Sequence, residues 1–254
     1  MAEGTAALLD RILTHIRARV DPDYAFLSPG PSPWTRPPSR SEDLRPALVT
    51  TGGIHLRSDP PFRALDMRWG DTSHRMIPHG TPSRLLALDA PYVDQKYTPA
   101  DVEVALPMAA LGELHREGHI GAPAPNHASF CGGILRPLPG LADSVESLHR
   151  ALRDDGTTGV ILLPTCSICV QTTCILAREL EKRGMPTVAI SLLPELSAIV
   201  GAPRTLVVRF PFGAPAGDPG NGDLHRAVLS EAIDLLLEAK AAGEVRTSAL
   251  AWRR

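Results

Sequence analysis

The sequence predicts an α/β fold, a mainly parallel sheet with crossover helices, preceded by an N-terminal helix and a proline-rich arm. Three observations predict it. Short apolar runs alternate with segments of helical periodicity, most regularly in the last third of the chain. The helical segments end in glycine, which tolerates the positive φ of a helix C-cap. Residues 21–46 hold too many prolines for a helix or a central strand to persist. With 254 residues the chain can bury one large core. The expected division is residues 1–46 as helix and arm, and residues 47–254 as a single α/β domain.

Taken in order, Ala7, Leu8, Ile12, Ile16 and Val20 fall near helical spacing and give an amphipathic first helix. "DPDYAFLSPGPSPWTRPPSRSEDLRP" is the arm. "ALVTTGG" reads as a buried strand ending in a glycine turn, and "RLLALD", "VEVALP", "GVILLP", "PTVAIS" and "RTLVVRF" read as further strands. "MAALGELHREG", "ADSVESLHRALRDDG" and the segment running through "ILARELEKRG" read as helices. From Gly159 the order is strand, helix, strand, short helix, strand, long helix, which is how Rossmann- or flavodoxin-like halves join parallel strands. "FGAPAGDPGNGD" is too rich in proline for a phosphate loop and lacks its lysine, so a mobile loop is expected there.

A net charge of -2 leaves no basic surplus for nucleic acid or an anionic membrane. Charges interrupt the apolar positions of the first twenty residues, so neither a signal peptide nor a spanning helix is expected and the chain reads as cytoplasmic. In that compartment a C-x-x-C pair is more often catalytic, redox-active or metal-binding than a structural disulfide.

Cys166 and Cys169 form such a pair, with Cys174 five residues on. If "GVILLPT" is a strand and "SICVQTTCILARELEKRG" a helix, Cys166 stands at a strand's carboxyl end and in the cap region of the next helix. Open α/β sheets build their sites there, and the helix N-terminus favours an anion. A thiolate at such a place forms below the ordinary thiol pKa of about 8.5. Cys169, one turn on, can approach Cys166 and resolve a mixed disulfide. Cys174 and the isolated Cys131 are expected to be packing residues. A metal held at Cys166 and Cys169 would need further donors, Cys131 or a distant histidine.

"PWTRPPSRSEDLRPALVTTGGIHLRSDPPF", "DTSHRMIP", "LGELHREGHIGAPAPNHASF" and "GVILLPTCSICVQTTCILARELEKRGMPTVAIS" together resemble the selenoprotein B type subunits of the glycine, sarcosine, betaine and D-proline reductases. The length is closer to the D-proline reductase type. In that family a selenocysteine, or a cysteine replacing it, begins a U-x-x-C pattern, and Cys166 and Cys169 occupy the matching places. The resemblance implies that Cys166 is the nucleophile in reductive cleavage of a carbon–nitrogen bond α to a carboxylate. It also implies, for some members, a carbonyl-bearing pyruvoyl partner. No pyruvoyl precursor is recognisable here, so that partner would be a separate chain.

Other residues could serve the thiolate. The loop after the first strand should open at the same edge as Cys166, where the Gly52 and Gly53 amides could bind a carboxylate. His55 and Asp59 follow them as polar groups for acid/base work or substrate binding. His127, in "PNHASF", matches the resembling family and is expected on a loop at the same edge. Arg75 could hold a substrate carboxylate bidentately, or pair with Asp71 or Asp66.

The function expected is therefore a thiol-dependent reductase-type enzyme or subunit acting on a small amino-acid-like substrate, with no cofactor of its own. A pyruvoyl-type or thioredoxin-like protein would be its partner, and self-association is left open. Two alternatives remain at this point. One is a cofactor-free isomerase of the aspartate/glutamate racemase type, which needs a second thiol facing Cys166. The other is a metal-binding or scaffold subunit of the same fold.

Overall fold

The computed structural model describes residues 2–63, 69–91, 94, 96–137 and 140–253. After helix α1 (Ala2–Arg19) come β1 (Pro46–Thr50), β2 (Ile54–Leu56), β3 (His74–Pro78), β4 (Leu86–Leu88), α2 (Met108–Arg116) and β5 (Asn126–Phe130). The remainder is α3 (Gly140–Asp154), β6 (Gly159–Leu163), α4 (Ser167–Glu181), β7 (Thr187–Ser191), α5 (Pro194–Val200), β8 (Arg204–Val207), α6 (Gly222–Glu238) and β9 (Glu244–Thr247). Among the described residues seven strands form one sheet in the order β3-β5-β1-β6-β7-β8-β9, parallel except for β3, and β2 pairs antiparallel with β4.

The α/β architecture expected from the sequence is the one observed. Alternate residues of each central strand feed opposite faces, so both faces are apolar and both are covered. Leu48, Ile161, Leu163, Val188, Ile190 and Leu206 pack with α2 and α6. Ala47, Val49, Val160, Leu162 and Ala189 pack with α3, α4 and α5. In α3 the buried residues Leu141, Val145, Leu148 and Leu152 repeat at helical spacing, one stripe facing the sheet.

Three local expectations are corrected, and two edge strands are added. "VEVALP" is not a strand: Asp101 accepts the Glu103 amide at 3.0 Å and caps a turn of 3-10 helix at Val102–Val104. "NHASF" is not a loop but strand β5, and "HRMIP" and "EVRT" form the two edge strands. The segment before α6 is not a free loop. Its residues 213–218 are buried, and the Gly213 amide donates to Thr165 O at 2.7 Å.

The arm lies as a strap along the outer side of α4. Its prolines prevent a strand of its own, so side chains of α4 satisfy its backbone groups instead. Gln171 Oε1 accepts the Leu27 amide at 2.9 Å, and Arg178 donates to Pro29 O and Pro31 O at 3.2 and 2.8 Å. At the end of the helix Glu181 accepts the Thr35 amide and pairs with Arg204 at 2.6 Å, both side chains fully buried. Arg204 also donates to Thr35 O at 2.7 Å. With the sheet on one side and the strap on the other, α4 is buried almost all round.

Removing one partner of a buried pair leaves the other charge uncompensated. Arg204→Ala is therefore expected to lower the unfolding free energy by about 3–5 kcal/mol. Urea denaturation followed by circular dichroism measures this.

Candidate functional site

Because β5 and β6 flank β1, the turns after Phe130, Thr50 and Leu163 meet at one carboxyl edge. Backbone and hydroxyl contacts lock them together. The Thr165 amide donates to Thr51 Oγ1 at 3.1 Å, Thr165 Oγ1 donates to Thr51 O at 3.1 Å, and Gly52 forms a bridge with Cys131.

Cys166 lies in this junction with extended backbone and caps α4, its Sγ accepting the Cys169 amide at 3.1 Å. Cys166 and Cys169 are joined as a disulfide, with Cα atoms 4.8 Å apart. Cys169 is buried and Cys166 is 8% exposed. Ile16, Tyr24, Ala90 and Ile168 complete the apolar surround, so α1 and the start of the arm roof the pair. Gly132 makes the close approach possible. A Cβ there would stand 2.5 Å from Cys169 Sγ and 3.5 Å from Cys166 Sγ.

The other two thiols differ in kind. Cys131 Sγ donates to Asp89 O at 2.9 Å, and burial, with Asp71 and Asp89 nearby, pushes its pKa up to about 12. Burial pushes Cys174 up to about 12 as well. An isomerase would need its second thiol as a base facing Cys166, and Cys131, at the neighbouring strand end, is held protonated. A metal site finds no better support: among the described residues no three His, Cys, Asp or Glu side chains converge as ligands.

Of the residues expected to serve the thiolate, His55 keeps a ring nitrogen without a hydrogen bond. It sits on β2, with Nδ1 donating to Leu56 O at 2.8 Å and its ring edge-on to Phe62. Its Nε2 is 2.8 Å from Asp89 Oδ2 but out of line for a hydrogen bond, and so has none. Asp89 in turn accepts the Phe62 amide, and its own amide donates to Gly53 O.

Four others are not free for that work. The Gly52 and Gly53 amides already donate to Thr50 Oγ1 and Phe130 O, at 3.1 and 2.9 Å. Gly53 instead meets a steric demand, with φ +64 and a missing Cβ that would strike Asp89 O. Asp59 accepts the Leu56 amide and closes the turn after β2. The Arg75 guanidinium is spent on Pro60 O, Pro61 O, His74 O and Ser73 Oγ and stacks on Phe62. Asp71 accepts the Arg63 and Ser73 amides, and Asp66 lies outside the described residues.

His127 is not on the cleft. It is inside β5, level with Leu48 of β1 and several residues below the strand's carboxyl end. The Leu48 amide donates to its Nδ1 at 3.0 Å, which leaves the ring hydrogen on Nε2, facing His79 Nδ1 at 2.9 Å. Burial, with His79 beside it, lowers its pKa to about 3. Sequence reasoning missed Gly132 and Asp89. The glycine pair of "SFCGG" was the available signal for the first, and nothing local marks the second.

No family model matches the chain, and no solved structure matches it. Among curated proteins it is 28% identical to the D-proline reductase subunit gamma of Acetoanaerobium sticklandii over 233 residues, 92% of this chain and 94% of that one. It is 26% identical to the sarcosine reductase complex component B subunit beta of Peptoclostridium acidaminophilum, over 76% of this chain and 45% of that protein. A third relative is the glycine reductase complex component B subunit gamma of Carboxydothermus hydrogenoformans, 27% identical over 67% of this chain and 40% of that protein. The chain is a homologue of these reductase subunits. It spans nearly the whole D-proline reductase relative and less than half of each component B relative. Among the described residues no helix is long and apolar enough to cross a membrane.

Two outcomes are expected. After reduction at pH 8, iodoacetamide should label Cys166 first, because thiols with a pKa near 12 expose only about one thiolate in ten thousand. Peptide mapping should find Cys131 and Cys174 labelled only once the chain is unfolded. The second concerns His127, whose folded pKa is depressed. Below pH 6.5 the unfolded state takes up a proton that the folded state refuses until about pH 3. Stability should fall by up to about 1.4 kcal/mol per pH unit across that window from this residue alone. Denaturation curves of His127→Gln against pH should lack that component.

Proposed function

We propose that the chain is the thiol-bearing subunit of a reductase complex that cleaves a carbon–nitrogen bond α to a carboxylate in a small amino-acid-like substrate. The observation that carries it is the bonded Cys166–Cys169 pair at the N-cap of α4, in a chain matching the D-proline reductase subunit gamma over 92% of its length. That relative's name supplies the substrate class, and the complexes named for the others supply the expectation of protein partners.

The reaction follows from the two sulfurs. With the pair reduced, the Cys166 thiolate attacks the carbon bearing the amine. A carbon–sulfur bond forms, the carbon–nitrogen bond breaks, and the nitrogen leaves with its electron pair and a proton. The Cys169 thiolate then attacks Cys166 Sγ. The sulfur–sulfur bond forms, the carbon takes the electron pair of the broken carbon–sulfur bond, and it is protonated. The sum is one bond reduced and two thiols oxidised to the disulfide, which an external dithiol protein must reduce before the next turnover.

The helix N-terminus and the Cys169 amide favour the attacking thiolate, since both place partial positive charge against Cys166 Sγ. His55 is the proposed proton carrier for the departing amine. In its favour are the Nε2 without a hydrogen bond and the neighbouring Asp89 carboxylate. A pyruvoyl-type partner chain would activate the amine by condensing with it. Cysteine is a weaker nucleophile at neutral pH than selenocysteine, which makes that activation more necessary here.

The two cysteines should fail differently when replaced. Cys166→Ser is expected to form no adduct, whereas Cys169→Ser should accumulate the substrate's carbon fragment on Cys166. Mass spectrometry after incubation with D-proline, glycine or betaine, with the purified partner and a dithiol reductant, reads both. Adducts on neither variant, while wild type turns over, would remove Cys166 from the reaction.

A further inference from the structure

Substrates of the class proposed above carry a carboxylate, and Arg75, the residue whose type suggested itself from the sequence, is fully engaged elsewhere. A different arginine has the features of an anchor. Arg136 follows the Gly132 turn that borders both sulfurs, and its guanidinium carbon lies over the Trp69 ring, 4.4 Å from the centroid. It already holds a carboxylate. Both Nε, at 2.8 Å, and Nη2 donate to Asp21 of the arm. The two partners are unlike: the Arg136 side chain is half exposed, while that of Asp21 is 6% exposed.

Beside the pair opens a cleft of about 330 Å³ whose lining includes Asp21, Asp23, Tyr24, Leu135 and Arg136. That is the size of a small-molecule site. Tyr24 and Leu135 belong also to the apolar cluster around Cys166 and Cys169, so one wall of the cleft is the roof of the thiol pair. An ordinary surface ion pair needs neither a ring beneath the guanidinium nor a buried carboxylate beside an open cavity.

We propose that Arg136 anchors the carboxylate of the amino-acid-like ligand at the mouth of the cysteine site, and that Asp21 holds that place in the unliganded chain. The inference rests on the substrate class proposed above. Binding then exchanges one carboxylate for another on the same fork, and the arm is released from Arg136 as the ligand enters. Asp21 competes with the ligand and lowers its apparent affinity.

The test uses the full, reduced chain as wild type, Asp21→Asn, Arg136→Lys and Arg136→Gln, with two readouts. Titration calorimetry with D-proline should show Asp21→Asn binding roughly tenfold tighter and Arg136→Gln at least about tenfold weaker, with Arg136→Lys between them because it lacks the fork. The second readout is the rate of Cys166 alkylation by iodoacetate relative to neutral iodoacetamide. That ratio should rise in Asp21→Asn and fall in Arg136→Gln, while the iodoacetamide rate stays within about twofold in Arg136→Lys. If the ratio and the D-proline affinity are the same in all four proteins, the anchor is overturned and Cys166 keeps its role. If neither reagent alkylates Cys166, the nucleophile is overturned, and the calorimetry alone decides the anchor. The Asp21→Asn change keeps size and packing nearly constant, so the outcome stands even where the Arg136 variants fold poorly.

Discussion

The buried pair between Glu181 and Arg204 holds the molecule's layers together. It joins the last turn of α4 to β8, and through Thr35 it fastens the arm to both. Glu181 also accepts the Thr187 amide and hydroxyl, so β7 is tied to the same carboxylate. Burying two charges carries a desolvation penalty that is offset as the remaining donors and acceptors are matched. Here Glu181 and both terminal nitrogens of Arg204 find partners, in the arm at Thr35 and in β7 at Thr187, while Arg204 Nε is left without one. The helix fixed in this way is the one whose first turn carries the cysteines.

At that first turn the protein separates its thiols by environment alone. Cys131 and Cys174 are surrounded by apolar side chains or nearby carboxylates, which keep the proton on sulfur. Cys166 faces an amide and the positive end of a helix. The same sheet edge therefore presents one thiol suited to anionic chemistry, a partner within bonding reach, and a third that serves as a hydrogen-bond donor to Asp89. Apart from the Thr165 hydroxyl beside Cys169, the surround of the pair is mostly apolar, which gives each charge near it more effect than it would have in water.

Much of this was legible in the sequence wherever local chemistry decided the outcome. The β6-α4-β7-α5-β8-α6 run is written in apolar strands and glycine stops, and Gly184, past the end of α4, has the positive φ expected of it. The place of Cys166 at a strand end followed from the same pattern. The edge strands did not show because "HRMIP" and "EVRT" are short and half polar, as edges are. β5 was hidden by its asparagine, histidine and serine. Only the fold shows that His127 substitutes for a strand partner to the Leu48 amide. Arg75 and Arg136 look alike in sequence, and what separates them is distant: the carbonyls of Pro60 and Pro61 for one, the carboxylate of Asp21 for the other.

The strap also imposes an order of assembly. Leu27 meets Gln171 across 144 residues of chain, and Thr35 meets Arg204 across 169. Contacts that span so much sequence close slowly, because the loop entropy is lost before the contact is gained. During synthesis the arm leaves the ribosome early, yet its seat exists only after α4, β7 and β8 have been made and paired. The arm, made before its seat, is thus among the last segments to dock, and in pulsed hydrogen exchange during refolding its amides near Leu27 and Thr35 are expected to gain protection after those of β6 and β7.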